Sequence, residues 1–73
     1  MTINVSIRQA GKSTPYAGLH IVTINGVDRA HPEPHSEAQA RQERVQSVIE
    51  RMRADGQDDV TILAKYSALP SQQ

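Results

Sequence analysis

Two histidines and a glutamate cluster in residues 31–35, which read His-Pro-Glu-Pro-His and come nearest in this chain to a metal-binding pattern. Two imidazoles and a carboxylate suit zinc or nickel, and His20 offers a third imidazole. The residue before each proline avoids the helical region, so the segment is expected to be extended. His31 and His35 would then lie more than about 12 Å apart, too far to share one ion. The pattern therefore predicts a solvated connector, with no metal site and no cofactor.

Residues 11–14 read Gly-Lys-Ser-Thr, like the end of a phosphate-binding loop. Such a loop needs a glycine five residues before its last glycine, and Ser6 stands there, inside a predicted strand. Pro15 follows in place of a helix, so no helix N-terminus would face an anion. An ordinary polar turn is expected, from which Lys12 could contact an anion loosely.

The predicted helix carries arginines on one side, namely Arg41, Arg44, Arg51 and Arg53. Glutamates three or four residues away, such as Glu37, neutralise much of this charge. That spacing favours a solvated, salt-bridged surface. The functional alternative is that Arg41 and Arg44, with Lys12, bind an anionic ligand or an acidic partner.

No catalytic residue is assigned from the sequence. Ser13, His20 and Asp28 could be combined into a triad on paper. Triads are recognised by geometry and not by order along the chain, so this combination carries no weight. An enzyme is not expected.

The composition of the chain limits the size of the hydrophobic core that could position these residues. The chain has 73 residues, with no Cys, Phe or Trp and two Tyr. A single domain of this size is marginally stable, and aromatic rings normally contribute the largest burials. Without cysteine, disulfides and thiolate metal sites are excluded. Self-association or a partner is therefore the expected source of extra stability.

Eight basic and eight acidic residues give a net charge of zero. A nucleic-acid-binding domain normally carries a basic excess, so nucleic acid is not the expected partner. No stretch approaches the length of a membrane span, and no secretory signal pattern is present. The lack of cysteine fits a reducing compartment, so a cytoplasmic location is expected.

Hydrophobic periodicity predicts two strands, a helix and a third strand. Residues 3–7 alternate with period two, and residues 19–24 have apolar side chains on both faces, as in a strand covered on both sides. Residues 60–65 alternate again. Asn25-Gly26 is a tight-turn pair, but polar residues begin soon after it, which predicts a strand end or bulge and not a second hairpin.

The helix is predicted over residues 36–55. Ser36 offers an N-cap and Gln39 completes a capping box, while Gly56 suits the left-handed position past the C-terminus. The apolar stripe comprises Ala38, Val45, Val48, Ile49 and Met52.

These elements predict an α+β domain over residues 1–66, with a β-β-α-β order, and a polar, flexible tail over residues 67–73. A right-handed crossover makes strands two and three parallel, and strand one lies between them, giving the order 2-1-3. The helix covers one face of this sheet. Val22, Ile24 and Leu63 are left on the other face and are predicted to form an interface.

The function expected from this architecture is a non-enzymatic, homodimeric or larger protein-interaction module that binds and occludes a partner protein. Accessory or inhibitory proteins of phages and mobile elements have this general character. The alternative is a sequestering protein that binds an anionic metabolite or nucleotide at Lys12, Arg41 and Arg44.

Overall fold

The computed structural model describes residues 3–66 and 68–70. Its elements in chain order are β1 (Val5–Gln9), β2 (His20–Ile24), β3 (Val27–Asp28), α1 (His35–Ala54) and α2 (Asp59–Leu63). The three strands form one antiparallel sheet in the order β1-β2-β3. The helix α1 packs on one face of this sheet. The predicted α+β class, with a three-stranded sheet and one main helix, is confirmed.

The strand order differs from the predicted 2-1-3 because Asn25-Gly26 does form a hairpin. Asn25 has φ 53° and Gly26 has φ 81°. A two-residue type I′ turn requires positive φ at both central residues and matches the twist of paired strands. Thr23 therefore pairs with Asp28, and Val27 pairs with Ile24. The third strand follows β2 directly, so β2 is central.

Residues 60–65 do not form the predicted strand. A short helix, α2, starts after Asp58, whose Oδ1 accepts the Thr61 backbone N–H at 2.8 Å. Ile62 is fully buried while Val60 is 71% exposed. Alternating β-branched residues favour a strand only where another strand offers them a surface, and here α1 supplies the surface.

The long helix is confirmed, with its start one residue earlier than predicted. Its N-cap is Pro34, which makes no side-chain capping bond, and Ser36 lies within the first turn. The predicted capping box with Gln39 is therefore wrong. Gly56 has φ 88° and donates its N–H to the Arg53 carbonyl at 3.0 Å, as expected for a helix that ends in a left-handed glycine.

The core lies between α1 and the sheet face that carries Val22 and Ile24, which are 1% and 0% exposed. Register explains this placement, because Val5 pairs with Ile24 and Ile7 pairs with Val22 on one face. The predicted interface of Val22, Ile24 and Leu63 is therefore not an exposed surface. Leu63 also packs, half-buried, against this core.

The opposite face of β2 is also buried. Ile21 and Thr23 lie there, and the Thr23 hydroxyl hydrogen-bonds the Ser6 hydroxyl at 2.8 Å. The prediction that this strand is covered on both faces is confirmed.

The predicted flexible tail is described only over residues 68–70, and positions 67 and 71–73 lie outside the described residues. Leu69 donates its backbone N–H to the Asp28 carbonyl at 2.9 Å, so the chain here runs beside β3. Within the described residues, no helix is both long and apolar enough to cross a membrane.

Candidate functional site

A cavity of about 350 Å³ opens between the β3–α1 connector, α1 and the segment after α2. Small-molecule sites typically have volumes of about 300–1,000 Å³. The lining residues are Arg29, Ala30, His31, Pro32, Glu33, Arg41, Lys65, Tyr66 and Leu69. A smaller hollow, of about 130 Å³, lies between β1 and α1 near Val5 and Ile49.

The connector that forms one cavity wall is fixed at both ends to β2. Arg29 donates its backbone N–H to the Val22 carbonyl at 3.1 Å. His20 and Glu33 exchange two backbone hydrogen bonds of 2.8 and 2.9 Å. Residues 30–32 between these points leave the sheet and line the cavity.

Positive charge is concentrated around this cavity. Three lining side chains, those of Arg29, Arg41 and Lys65, are cationic, and Glu33 is anionic, so the lining carries +2 when histidine is left out. The whole chain carries zero net charge. A cleft lined mainly by one sign of charge raises the local concentration of ligands of the opposite sign.

The Arg29 guanidinium has unused hydrogen-bonding capacity. Its Nη1 donates to the Tyr66 carbonyl at 2.6 Å. Its Nε is buried and has no acceptor among the described residues. A buried donor without a partner costs about 1–3 kcal/mol, and a guanidinium has five donors in a fixed fork. An acceptor group beside this guanidinium would be complementary to it.

Arg41 reaches the cavity from α1 and is held by Glu33. Its Nε donates to both Glu33 carboxylate oxygens, at 2.9 and 3.1 Å. The Glu33 side chain is largely buried, whereas the Arg41 side chain is about half-exposed. Within the part of the chain that the structure describes, the two terminal nitrogens of Arg41 have no protein partner and can face a ligand.

Lys65 and Tyr66 are placed by the turn that ends α2. Their backbone N–H groups donate to the carbonyls of Ile62 and Leu63, each at 3.1 Å. Burial raises the pKa of the Tyr66 phenol above its ordinary value of 10.0. A tyrosine phenol is already protonated at neutral pH, and the raised pKa keeps it so, so its hydrogen remains to be donated.

Of the three ligand-binding residues predicted from the sequence, only Arg41 lines the cavity. Lys12 and Arg44 are exposed elsewhere on the surface. Residues 11–18 form successive turns with no helix, and Thr14 donates its N–H to the Gly11 carbonyl at 3.2 Å. The structure does not bring Lys12, Arg41 and Arg44 together at this cavity.

Sequence reasoning missed Arg29 and Lys65. The alternation of residues 60–65 places Lys65 at the end of a predicted strand, and Arg29 follows a strand end that no motif marks. The spacing of Asp58 and Thr61 was a usable signal, because an aspartate N-cap accepts the N–H of the third residue after it. A helix starting there would have placed Lys65 just past its C-terminus.

The three histidines do not converge. The His20 and His35 rings meet edge to face, with centroids 4.8 Å apart, whereas His31 is exposed at the cavity. Among the described residues, no group of three histidine or carboxylate side chains is placed to hold a metal ion.

The cavity combines cations and hydrogen-bond donors with apolar surface from Pro32, Tyr66 and Leu69. Such a lining suits a small molecule with an anionic group and a short apolar part. Comparison with protein-family models, curated proteins and solved structures found no match to this chain.

Proposed function

We propose that this protein is a small, non-enzymatic binding protein that holds an organic anion in the cavity beside the β3–α1 connector. The observation that carries the proposal is the convergence of Arg29, Arg41 and Lys65 on one cavity in a chain of zero net charge. These cations come from three separate elements, so only the folded chain assembles them.

The ligand class follows from the lining. Arginine forks bind carboxylate and phosphate groups through paired hydrogen bonds, and lysine adds a point charge. Pro32, Tyr66 and Leu69 offer apolar surface to the remainder of the ligand. A carboxylate or phosphomonoester with a small ring or short chain fits a volume of about 350 Å³.

The other proposed function is a homo-oligomeric module that occludes a partner protein in the cytoplasm. Its expected surface is lost, because Val22 and Ile24 are buried under α1. One observation still favours it. β1 pairs with β2 on one side, and its other edge pairs with no strand in the described part of the chain.

Phenyl phosphate is a suitable probe for the cavity because it joins an anionic head to one ring. We expect saturable changes in the ¹H–¹⁵N spectrum at Arg29, Arg41, Lys65 and Tyr66. Inorganic phosphate and phenol each supply half of the probe, and both should bind more weakly. Binding should weaken as salt is added, since the attraction is electrostatic.

Matched variants locate the site. Arg29→Gln and Lys65→Gln remove cations from the cavity, and each should raise the dissociation constant of phenyl phosphate roughly tenfold or more. Arg44→Gln removes an exposed arginine of α1 that does not line the cavity, and it should leave binding unchanged. Equal weakening by all three variants would indicate a general charge effect and contradict the proposal.

A further inference from the structure

The edge of β1 that faces away from β2 presents backbone groups that pair with no other strand among the described residues. Asn4 accepts the Asn25 N–H at 2.9 Å and Ala10 donates to the Leu19 carbonyl at 3.0 Å, so both point towards the β2 side. Antiparallel pairing alternates along a strand, which directs the backbone groups of Val5, Ile7 and Gln9 outward. The opposite edge of the sheet is partly covered, because residues 68–70 run beside β3.

Natural proteins usually protect such edges with proline, charged side chains or a bulge. The β1 sequence, Val-Ser-Ile-Arg-Gln, contains no proline, and its register with β2 is regular throughout. Its one charged side chain, Arg8, is held by Asp28 on the sheet face opposite α1. Two side chains contact the edge: Gln42 Nε2 donates to the Val5 carbonyl at 3.0 Å, and Arg8 Nη1 donates to the Gln9 carbonyl at 3.2 Å. A carbonyl accepts two hydrogen bonds, so both oxygens can still bond a strand. Ile7, between them, has no outward partner among the described residues.

We propose that β1 pairs with β1 of a second copy of this chain, antiparallel about a two-fold axis at Ile7. In this register Ile7 faces Ile7 of the other copy, and Val5 faces Gln9. Each of these pairs exchanges two backbone hydrogen bonds, because these residues direct their backbone groups outward. The two sheets become one continuous sheet.

Charge and hydrogen bonding select this register. Arg8 is the only charged residue of β1, and about Ile7 it faces Ser6 of the other copy. An axis at Arg8 would place two arginines directly opposite, which is unfavourable. An axis at Ser6 would leave the outward groups of Gln9 beyond the end of the partner strand. Only the axis at Ile7 pairs every outward group and separates the like charges.

The second copy also supplies burial that this small chain lacks. Ile7 is half-buried in one copy and packs at the rim of the core, and pairing covers its remaining surface with the other Ile7. The chain has no Phe or Trp to enlarge its own core. None of the β1 residues lines the proposed anion cavity, so dimerisation and anion binding are independent and can fail separately.

Proline at position 9 tests the pairing. Gln9→Pro removes an outward donor and leaves the bonds between β1 and β2 in place, and the Gln9 side chain is exposed. Gln9→Ala, the matched control, shortens the same side chain but keeps the N–H. By sedimentation equilibrium, the wild type and Gln9→Ala should dimerise at micromolar concentration. Gln9→Pro should raise the dissociation constant at least about tenfold with an unchanged circular dichroism spectrum.

Hydrogen exchange then locates the contact. The Ile7 amide should exchange rapidly in dilute protein and become protected as concentration rises, whereas the inward amides of Ser6 and Arg8 should be protected throughout. A wild-type protein that stays monomeric into the millimolar range overturns the proposal. This holds even if an added extended peptide protects the Ile7 amide, because the partner would then be a peptide and not a second copy. A dimer whose Ile7 amide stays unprotected, or one that Gln9→Pro leaves intact, also overturns it.

Discussion

Arg8 and Asp28 form a bidentate ion pair that spans the central strand of the sheet. Arg8 Nε donates to Asp28 Oδ1 at 2.9 Å, and Nη2 donates to Oδ2 at 2.7 Å. The two residues belong to β1 and β3, on the sheet face opposite α1. Asp28 is buried and Arg8 is about one-third exposed. The pair therefore links the two outer strands directly and helps to fix their register on β2.

Arg8→Met tests how much this link stabilises the fold, because it keeps an apolar stem and removes both bonds to Asp28, together with the exposed Arg8 bond to the Gln9 carbonyl. We expect the free energy of unfolding to fall by about 1–3 kcal/mol, the range for hydrogen bonds between charged groups at a partly exposed site. The bond to Asp28 raises the pKa of Arg8 above its already high ordinary value. A group whose pKa is raised in the folded state loses its contribution to stability only as pH rises through that pKa. Arg8 stays charged at both pH 7 and pH 9, so Arg8→Met should lower the free energy of unfolding equally at the two pH values.

Urea unfolding at both pH values measures this loss. Arg44→Met is the control, since Arg44 is exposed and forms no ion pair within the described residues; it should change stability by less than about 0.5 kcal/mol. Equal destabilisation by the two variants would show that the ion pair contributes nothing.

Val48 and Ile49 are sequence neighbours with opposite environments, and they offer a matched test of the α1 packing. Ile49 is 5% exposed in the core, whereas Val48 is 44% exposed, contrary to its predicted place in the middle of the buried stripe. Ile49→Asp should unfold the protein, because burying a carboxylate costs several kcal/mol. The whole free energy of unfolding of a small protein is only about 5–15 kcal/mol. Val48→Asp should stay folded. Thermal unfolding followed by circular dichroism distinguishes them, and an unfolded Val48→Asp protein would mean that α1 faces another way.

The same two residues show where sequence reasoning reaches its limit. The helical period of α1 is a local property, so the helix was predicted to within one residue at each end. The period cannot say which border of a broad apolar stripe is covered, because that depends on where the sheet and α2 lie. Val48 is on the uncovered border.

The Asn25-Gly26 turn accounts for the difference between the predicted and the observed strand order. Two positive φ values at Asn25 and Gly26 create β3 from only two residues, too few for any alternation to appear in the sequence. Residues 60–65 then lie outside the sheet, and Asp59–Leu63 form α2, which packs on α1. The candidate site depends on this outcome, because Lys65 reaches the cavity that Arg29 lines from the turn that ends α2.

The Asp58 cap of α2 predicts a specific acid dependence. Its hydrogen bonds with Thr61 lower the pKa of Asp58 below the ordinary value of 3.8. A carboxylate whose pKa is lower in the folded state contributes stability above the unfolded pKa and loses it as pH falls through the folded pKa. Asp58→Asn keeps a neutral acceptor for the Thr61 N–H and removes this dependence.

We therefore expect the melting temperature of the wild type to exceed that of Asp58→Asn at pH 7, with the difference shrinking below pH about 4. Thermal unfolding of both proteins from pH 7 to pH 2.5 measures it. A difference that stays constant over this range would show that the Asp58 charge plays no part in the cap.

Glu33 is the one acidic side chain that lines the anion cavity, among the residues described, and it holds Arg41 through Nε. Glu33→Gln keeps the side-chain length and an amide oxygen that can still accept from Arg41, and the backbone bonds to His20 are unaffected. The net charge of the lining rises from +2 to +3. We expect phenyl phosphate to bind roughly threefold to tenfold more tightly, since one unfavourable charge near the anion is removed.

The cost in stability should be small, about 1 kcal/mol or less, because Arg41 is half-exposed and solvent screens the pair. Added salt should reduce the gain in affinity, since screening weakens the interaction that was changed. Glu43→Gln alters the charge of the chain equally on an exposed part of α1 outside the cavity, and it should leave affinity almost unchanged. Isothermal titration of the wild type, Glu33→Gln and Glu43→Gln at two salt concentrations measures these affinities. It distinguishes an effect of the Glu33 charge from an effect of its hydrogen bonds to Arg41. Weaker binding by Glu33→Gln would mean that positioning Arg41 matters more than the charge, which contradicts this prediction while leaving the cavity as the binding site.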